Sequence, residues 1–124
     1  IFVEAQIRNL AASARAQTAA LAAIAAAGAS PILELPMGMP YRAALDTALA
    51  RVVDFAPDIL VLAAGLDIAV DDPFQGFAIA TPEFAEIGLA IRNTGLPTLV
   101  VQEGGYPSPS LGANLASLLT GLGA

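Results

Sequence analysis

Two loops hold the residue types most able to do chemistry. One carries Asp67, with Gly65 two positions before it and Asp71, Asp72 and Pro73 soon after; the other carries Tyr106, directly behind Glu103, Gly104 and Gly105. Each loop follows a short, strongly apolar run. These runs, Asp58–Ala64 and Pro97–Gln102, are bounded by turn residues and lack polar–apolar alternation, the pattern of strands buried on both faces. A helix-length segment, Pro82–Asn93, lies between them, so the unit reads strand, loop, helix, strand: a parallel crossover. In open parallel sheets, ligands bind at the loops that follow the carboxyl ends of the strands. Asp67 and Tyr106 are therefore expected on one rim of the sheet. A metal-binding carboxylate beside a hydrogen-bond-donating phenol is half of a hydrolytic site.

Each of these residues also has a plainer reading. Asp67 is either a ligand or catalytic carboxylate, or an aspartate that caps its own turn. Asp71 and Asp72 lean toward the turn reading, since Asp-Pro opens turns, and the three carboxylates lack the alternating spacing of a calcium loop. Gly104 and Gly105 can present backbone N–H groups to an anion, or simply make a tight turn. Tyr106 is either a satisfied aromatic or a donor to a developing oxyanion. Phe74, Phe77 and Phe84 read as core or loop-anchoring rings.

Composition narrows the classes. The chain has 124 residues, enough for one domain with a core, and a net charge of −6 from eleven carboxylates against five arginines, with no lysine. That balance argues against a nucleic-acid partner, because nothing neutralises a run of phosphates. With no cysteine there are no disulfides or thiolate nucleophiles, and with no histidine there is no Ser-His-Asp triad within these residues. The alanine-rich stretch from 19 to 29 is too short to span a bilayer, so no membrane partner is expected. The chain opens Ile1-Phe2-Val3-Glu4, without methionine or the layout of a signal peptide. It is expected to be part of something longer, located in the cytoplasm.

The elements that must position the two loops follow from pattern. Glu4 to Ala27 reads as a helix stopped by Gly28 and Pro31, residues 32–35 as a short strand, and residues 37–40 as a loop. Pro40 stands where prolines open helices; the helix behind it is expected to bury Ala43, Ala44, Leu45, Ala48, Leu49, Val52, Val53 and Phe55. Thr81, Pro82 and Glu83 give a helix start with Thr81 as cap, and Gly95 to Pro97 ends that helix. Ser108-Pro109 repeats the start signal for a leucine-rich last helix that frays from Gly121. The division expected is an Ala-rich helical segment over 1–30 and an α/β domain over 31–124.

Taken together, Ala44-Leu45, the run Phe55 to Leu62, Ala64-Gly65-Leu66-Asp67, Asp72-Pro73, the Thr81 helix start, Gly95-Leu96-Pro97 and Glu103-Gly104-Gly105-Tyr106 resemble the carboxyl-terminal third of zinc-dependent deacetylases. The family is that of histone deacetylases and acetylpolyamine amidohydrolases, and the bacterial amidohydrolase branch is the most similar. The resemblance covers about Pro31 to Leu122. It implies an arginase/deacetylase-like three-layer α/β fold with a parallel sheet, and a zinc ion held by two aspartates and one histidine. Asp67 matches the second of those aspartates. Tyr106 matches the tyrosine that hydrogen-bonds the acetyl carbonyl, and Phe74 matches a position lining the mouth of the acyl channel. Gly104 and Gly105 belong to the same substrate-facing loop.

The resemblance further implies hydrolysis of an acetyl-amide bond in acetyl-lysine, an acetylpolyamine or a similar small amide, by metal-activated water. The Asp-x-His that gives the other two zinc ligands and the His-His pair that serves as base are absent here; in the family both lie upstream. Pro107 stands where asparagine is commoner. The 124 residues alone are thus expected to be inactive, and to pair with the upstream segment or a second copy of the chain. The competing expectation is a degenerate, non-catalytic α/β scaffold derived from the same fold.

Overall fold

The computed structural model describes residues 40–74 and 76–124. The helix expected over 4–27, the strand over 32–35, the loop over 37–39 and the domain boundary near residue 30 lie outside the described residues. Two compact units divide between Pro57 and Asp58.

The described part of the first unit is one helix, α1 (Tyr41–Phe55), opened by Pro40 and closed by Ala56 in the left-handed region at φ 51°. Its charged residues Arg42, Asp46, Arg51 and Asp54 are exposed as expected, with Arg42 and Asp46 paired one turn apart at 3.3 Å. The buried face is narrower than the sequence implied: Ala48 and Val52 are buried, whereas Ala43, Val53 and Phe55 are exposed. Ala43 and Val53 each stand five residues from Ala48, which at about 100° per residue turns them to the far side. Phe55 is the last helical residue, where the stripe runs out.

The second unit is built from β1 (Leu60–Ala64), α2 (Thr81–Arg92), β2 (Thr98–Gln102) and α3 (Leu111–Leu122). The strands pair in parallel with Leu60 opposite Thr98 and Ala64 opposite Gln102, so the crossover through α2 is the one expected. Side chains alternate faces along each strand. Leu60 and Ala64 are buried on one face, where Thr98 and Val100 look onto a cavity shared with Leu119 and Leu122 of α3. On the other face Leu99 is 58% exposed and Val101 is exposed too, so β2 is not buried on both sides. The composition of a strand reports a covering layer only where one is present, and among the described residues that face has none.

Helices α2 and α3 cross at glycines. A β-carbon on Gly88 would strike the carbonyl oxygen of Leu118, and one on Gly121 the carbonyl oxygen of Ala85. Gly121 is therefore a buried contact inside α3 rather than the start of fraying; the helix ends at Gly123, whose φ of 92° only glycine adopts cheaply. Phe84, Ile87 and Ile91 of α2 and Leu118 of α3 are buried around this crossing. No described helix is long and apolar enough to cross a membrane.

Both helix starts differ from expectation. Helix α2 is capped at Ala80, whose N–H donates to the Glu83 carboxylate at 2.7 Å, while the Thr81 hydroxyl donates to Asn114 at 2.6 Å. Helix α3 begins two residues after Pro109, with Ser110 as cap residue; the Ser110 N–H and hydroxyl both donate to Asp71. The Thr81 hydroxyl that the sequence offered as a local cap ties α2 to α3 instead, and the start expected at Ser108-Pro109 falls at Ser110, whose hydroxyl ties α3 to the Asp71 turn.

Candidate active site

Because the strands run in parallel, β1 and β2 release their following loops at the same rim. Pairing continues past the strand ends: the Glu103 N–H donates to the Ala64 carbonyl at 3.1 Å, and the Leu66 N–H to the Gly104 carbonyl at 2.9 Å. This lays the loop after β2 alongside the loop after β1. The first loop is then stiffened by a parallel bridge between Ala69 and Ile79, with the Val70 N–H on the Ile79 carbonyl and the Ile79 N–H on the Ile68 carbonyl, each at 3.0 Å.

Asp67 sits in the resulting notch. A β-carbon built on Gly104 would lie 2.7 Å from the Asp67 carboxylate carbon, and one on Gly65 would lie 2.8 Å from its Oδ1. Both glycines are thus accounted for by close approach: the carboxylate occupies the space that their side chains would fill. Gly105 has φ 125°, and a β-carbon there would press on Leu111 and Leu66. Among the described residues no hydrogen bond or ion pair engages the half-buried Asp67 carboxylate. An aspartate that capped its own turn would spend its oxygens on nearby N–H groups; Asp67 keeps both free.

Tyr106 and Phe74 form the second cluster. Their ring centroids are 4.5 Å apart with planes tilted by 59°, an edge-biased pair of the favoured kind. Phe74 is 70% exposed and Tyr106 44% exposed, so Phe74 is no core ring. It stands at the surface, following Pro73 in a turn, and among the described residues its aromatic neighbour is Tyr106 on the other loop. Phe84 fulfils the core reading, and Phe77 is half-buried.

Asp72, read from the sequence as a turn former, does more. It is 2% exposed; its Oδ1 accepts the Phe74 N–H at 2.9 Å and its Oδ2 the Tyr106 N–H at 3.4 Å. The first bond is the expected Asx-type turn. The second reaches the other loop, a long-range bond that the Asp72-Pro73 turn signal does not reveal. Asp71 is exposed and binds Ser110 through both oxygens, at 2.6 Å from the hydroxyl and 3.1 Å from the N–H. The Ser110 hydroxyl holds the Asp71 carboxyl below its usual pKa by bonding the charged form. Ser110 in turn accepts from the Asn114 amide at 2.8 Å, which links the Asp71 turn to α2 through Thr81. Asn114 was legible in principle: it falls on the leucine stripe of α3, where a polar residue is buried and must be paired.

Asp67 suits a divalent metal as a donor: two carboxylate oxygens, half-sheltered and unpaired among the described residues, on the rim of the sheet. Alone it could not hold catalytic zinc, which takes about three protein ligands, and among the described residues no three candidate ligands gather at one point.

The histone deacetylase domain matches residues 17–122 of this chain. The chain belongs to that family. Over 80 residues it is 46% identical to an acetylpolyamine amidohydrolase of Burkholderia pseudomallei (strain 1710b), covering 64% of this chain and 24% of that protein. Over 101 residues it is 37% identical to an acetylpolyamine amidohydrolase of Mycoplana ramosa, covering 77% of this chain and 30% of that one. A crystal structure of acetylpolyamine aminohydrolase from Burkholderia pseudomallei, from an iodide soak, shares 46% identity and a TM-score of 0.61 over 64% of this chain and 23% of its own. The chain therefore spans between 23% and 30% of the length of these relatives. The α/β, parallel-sheet architecture expected from the sequence, part of the arginase/deacetylase-like fold, is that of this histone deacetylase family member.

Proposed function

We propose that this chain is the carboxyl-terminal part of a zinc-dependent amide hydrolase that acts on a small acetylated amine, with acetylpolyamines the leading class and acetyl-lysine the next. The observation that carries the reading is the Asp67 carboxylate, without a hydrogen-bond partner among the described residues and fitted against two glycines on the rim of a parallel sheet where ligands bind. Asp67 is the ligand this segment contributes; the remaining ligands and the general base would come from outside the described residues, in keeping with a chain that spans 23% to 30% of its relatives' length. Zinc, when bound, supplies a Lewis acid that polarises the acetyl carbonyl and lowers the pKa of water.

The chain's own residues then have separate duties. The Tyr106 hydroxyl donates a hydrogen bond to the acetyl oxygen and strengthens that bond as negative charge develops there, which is worth roughly 3 kcal/mol or more in a preorganised site. Phe74 walls the entrance with an apolar face and limits water beside the acyl group. Gly104 and Gly105 keep the rim open, Gly104 by leaving room for the carboxylate.

The test is made in the intact protein. Asp67→Ala is expected to lose bound zinc and turnover together, and Tyr106→Phe to lose about 100-fold or more in kcat while retaining zinc. Deacetylation that survives both substitutions would overturn the reading, as would sustained metal-dependent turnover by the 124 residues alone.

A further inference from the structure

We propose that Asp72 is a positioning residue that sets Tyr106 and Phe74 against one another, an inference that rests on reading Tyr106 as the oxyanion donor. A turn needs one carboxylate oxygen, and an exposed aspartate supplies it as well as a buried one. Asp72 is instead nearly inaccessible and uses one oxygen on each loop, on Phe74 N–H and, 34 residues onward, on Tyr106 N–H. Burying a carboxylate away from water is costly unless both oxygens are engaged, and N–H bonds to an ionised acceptor are stronger than neutral ones. The rings attached to those two amides meet at 4.5 Å.

One buried carboxyl group therefore fixes the backbone origin of both side chains, and ring contact brings their far ends together. Gly105, immediately before Tyr106, has φ 125° and gives the loop a bend that no side chain of its own stabilises. The Asp72 bond lies directly after that bend. Without it, Tyr106 is an exposed tyrosine on a glycine-rich loop, and its hydroxyl samples many positions. With it, the backbone of Tyr106 is anchored to the loop that carries Asp67 and its ring is set against Phe74.

The experiment places 3-fluorotyrosine at position 106 alone in the intact protein and follows its fluorine resonance and the Tyr106 amide exchange rate. In the unmutated protein the resonance is expected to be displaced from free 3-fluorotyrosine, with Phe74→Leu removing the ring-current part, and the amide to exchange at least about tenfold slower than an unprotected one. Asp72→Ala is expected to erase most of the displacement and the protection while the far-UV circular dichroism stays native. Asp72→Asn, which fits the same space but turns a donor toward one of the two N–H groups, is expected to lose part of each. In turnover, Asp72→Asn should lower kcat about 10- to 100-fold with KM little changed, and have no further effect in a Tyr106→Phe background.

A folded Asp72→Asn protein with unchanged resonance and amide protection overturns the proposal. So does an unmutated protein whose Tyr106 amide exchanges at the unprotected rate, a result that needs no variant to fold. If Tyr106→Phe leaves turnover intact, the catalytic reading of Tyr106 falls, and the resonance and exchange data still decide whether Asp72 positions the ring.

Discussion

Gly104→Ala isolates the fit around Asp67. The new β-carbon would stand 2.7 Å from the carboxylate carbon and Oδ1 and 2.8 Å from Oδ2, closer than such atoms approach in real structures. The φ of Gly104 is not positive, so the backbone accepts alanine and the whole strain falls on the carboxylate. To reach ordinary contact at 3.4 Å, the carboxylate must back away by about 0.7 Å. A metal site tolerates ligand displacements of only about 0.2 Å, and a misplacement near 1 Å costs about 100-fold in rate. The expected loss in kcat/KM is therefore about 30- to 100-fold, or roughly 2 to 3 kcal/mol of transition-state stabilisation. Global stability should change by less than about 1 kcal/mol, since the carboxylate is free to move outward and alanine lowers the entropy of the unfolded chain. The assay combines kcat/KM on an acetylated polyamine, zinc content and a thermal melt in the intact protein. Gly112→Ala, at an exposed helical glycine with nothing within 4 Å, serves as control and should leave activity unchanged. Wild-type kcat/KM and full zinc content in Gly104→Ala would refute the argument, because they would mean that the carboxylate does not need the space that glycine leaves.

Gly121→Ala should destabilise the fold by about 1 to 3 kcal/mol in urea denaturation, because the new methyl meets the backbone of Ala85, which cannot rotate away as a side chain would. Phe84→Ala should cost about 3 to 5 kcal/mol by the same measurement, as it empties the centre of the second unit. Asp71 has a lowered pKa, so its bond to Ser110 stabilises the fold above the ordinary aspartate value of 3.8 and that contribution is lost as pH falls through the lower, folded value. Ser110→Ala should move the Asp71 titration, followed by carboxyl carbon NMR, upward toward that ordinary value.

What the sequence made legible was the order of elements and the rim. Two unalternating apolar runs flanking a helix-length segment imply a parallel crossover, and parallel strands bring Asp67 and Tyr106 to one edge whatever their side chains do. The helix boundaries were less legible because the expected cap Thr81 is spent on Asn114, and because Ser110, two residues after the expected start at Ser108, is the one that meets Asp71; both depend on where Asn114 and Asp71 lie in space. The same limit applies to Asp72. Next to Pro73, it was legible as the turn-former, but its burial and its second bond depend on where Tyr106 N–H arrives from 34 residues away. The strand faces failed for a converse reason: Leu99 and Val101 record a demand for cover that the described residues do not meet.

The crossing of α2 and α3 has a consequence for how this segment can vary over generations. At Gly88 and Gly121 each helix meets the backbone of the other, and backbone has no alternative residue to offer. An enlarged side chain on one helix cannot be answered by a smaller one opposite, because the opposing atoms are carbonyl oxygens common to every amino acid. The two positions should therefore be frozen rather than correlated among relatives, and the tightest contact in the unit should leave no covariation signal at all.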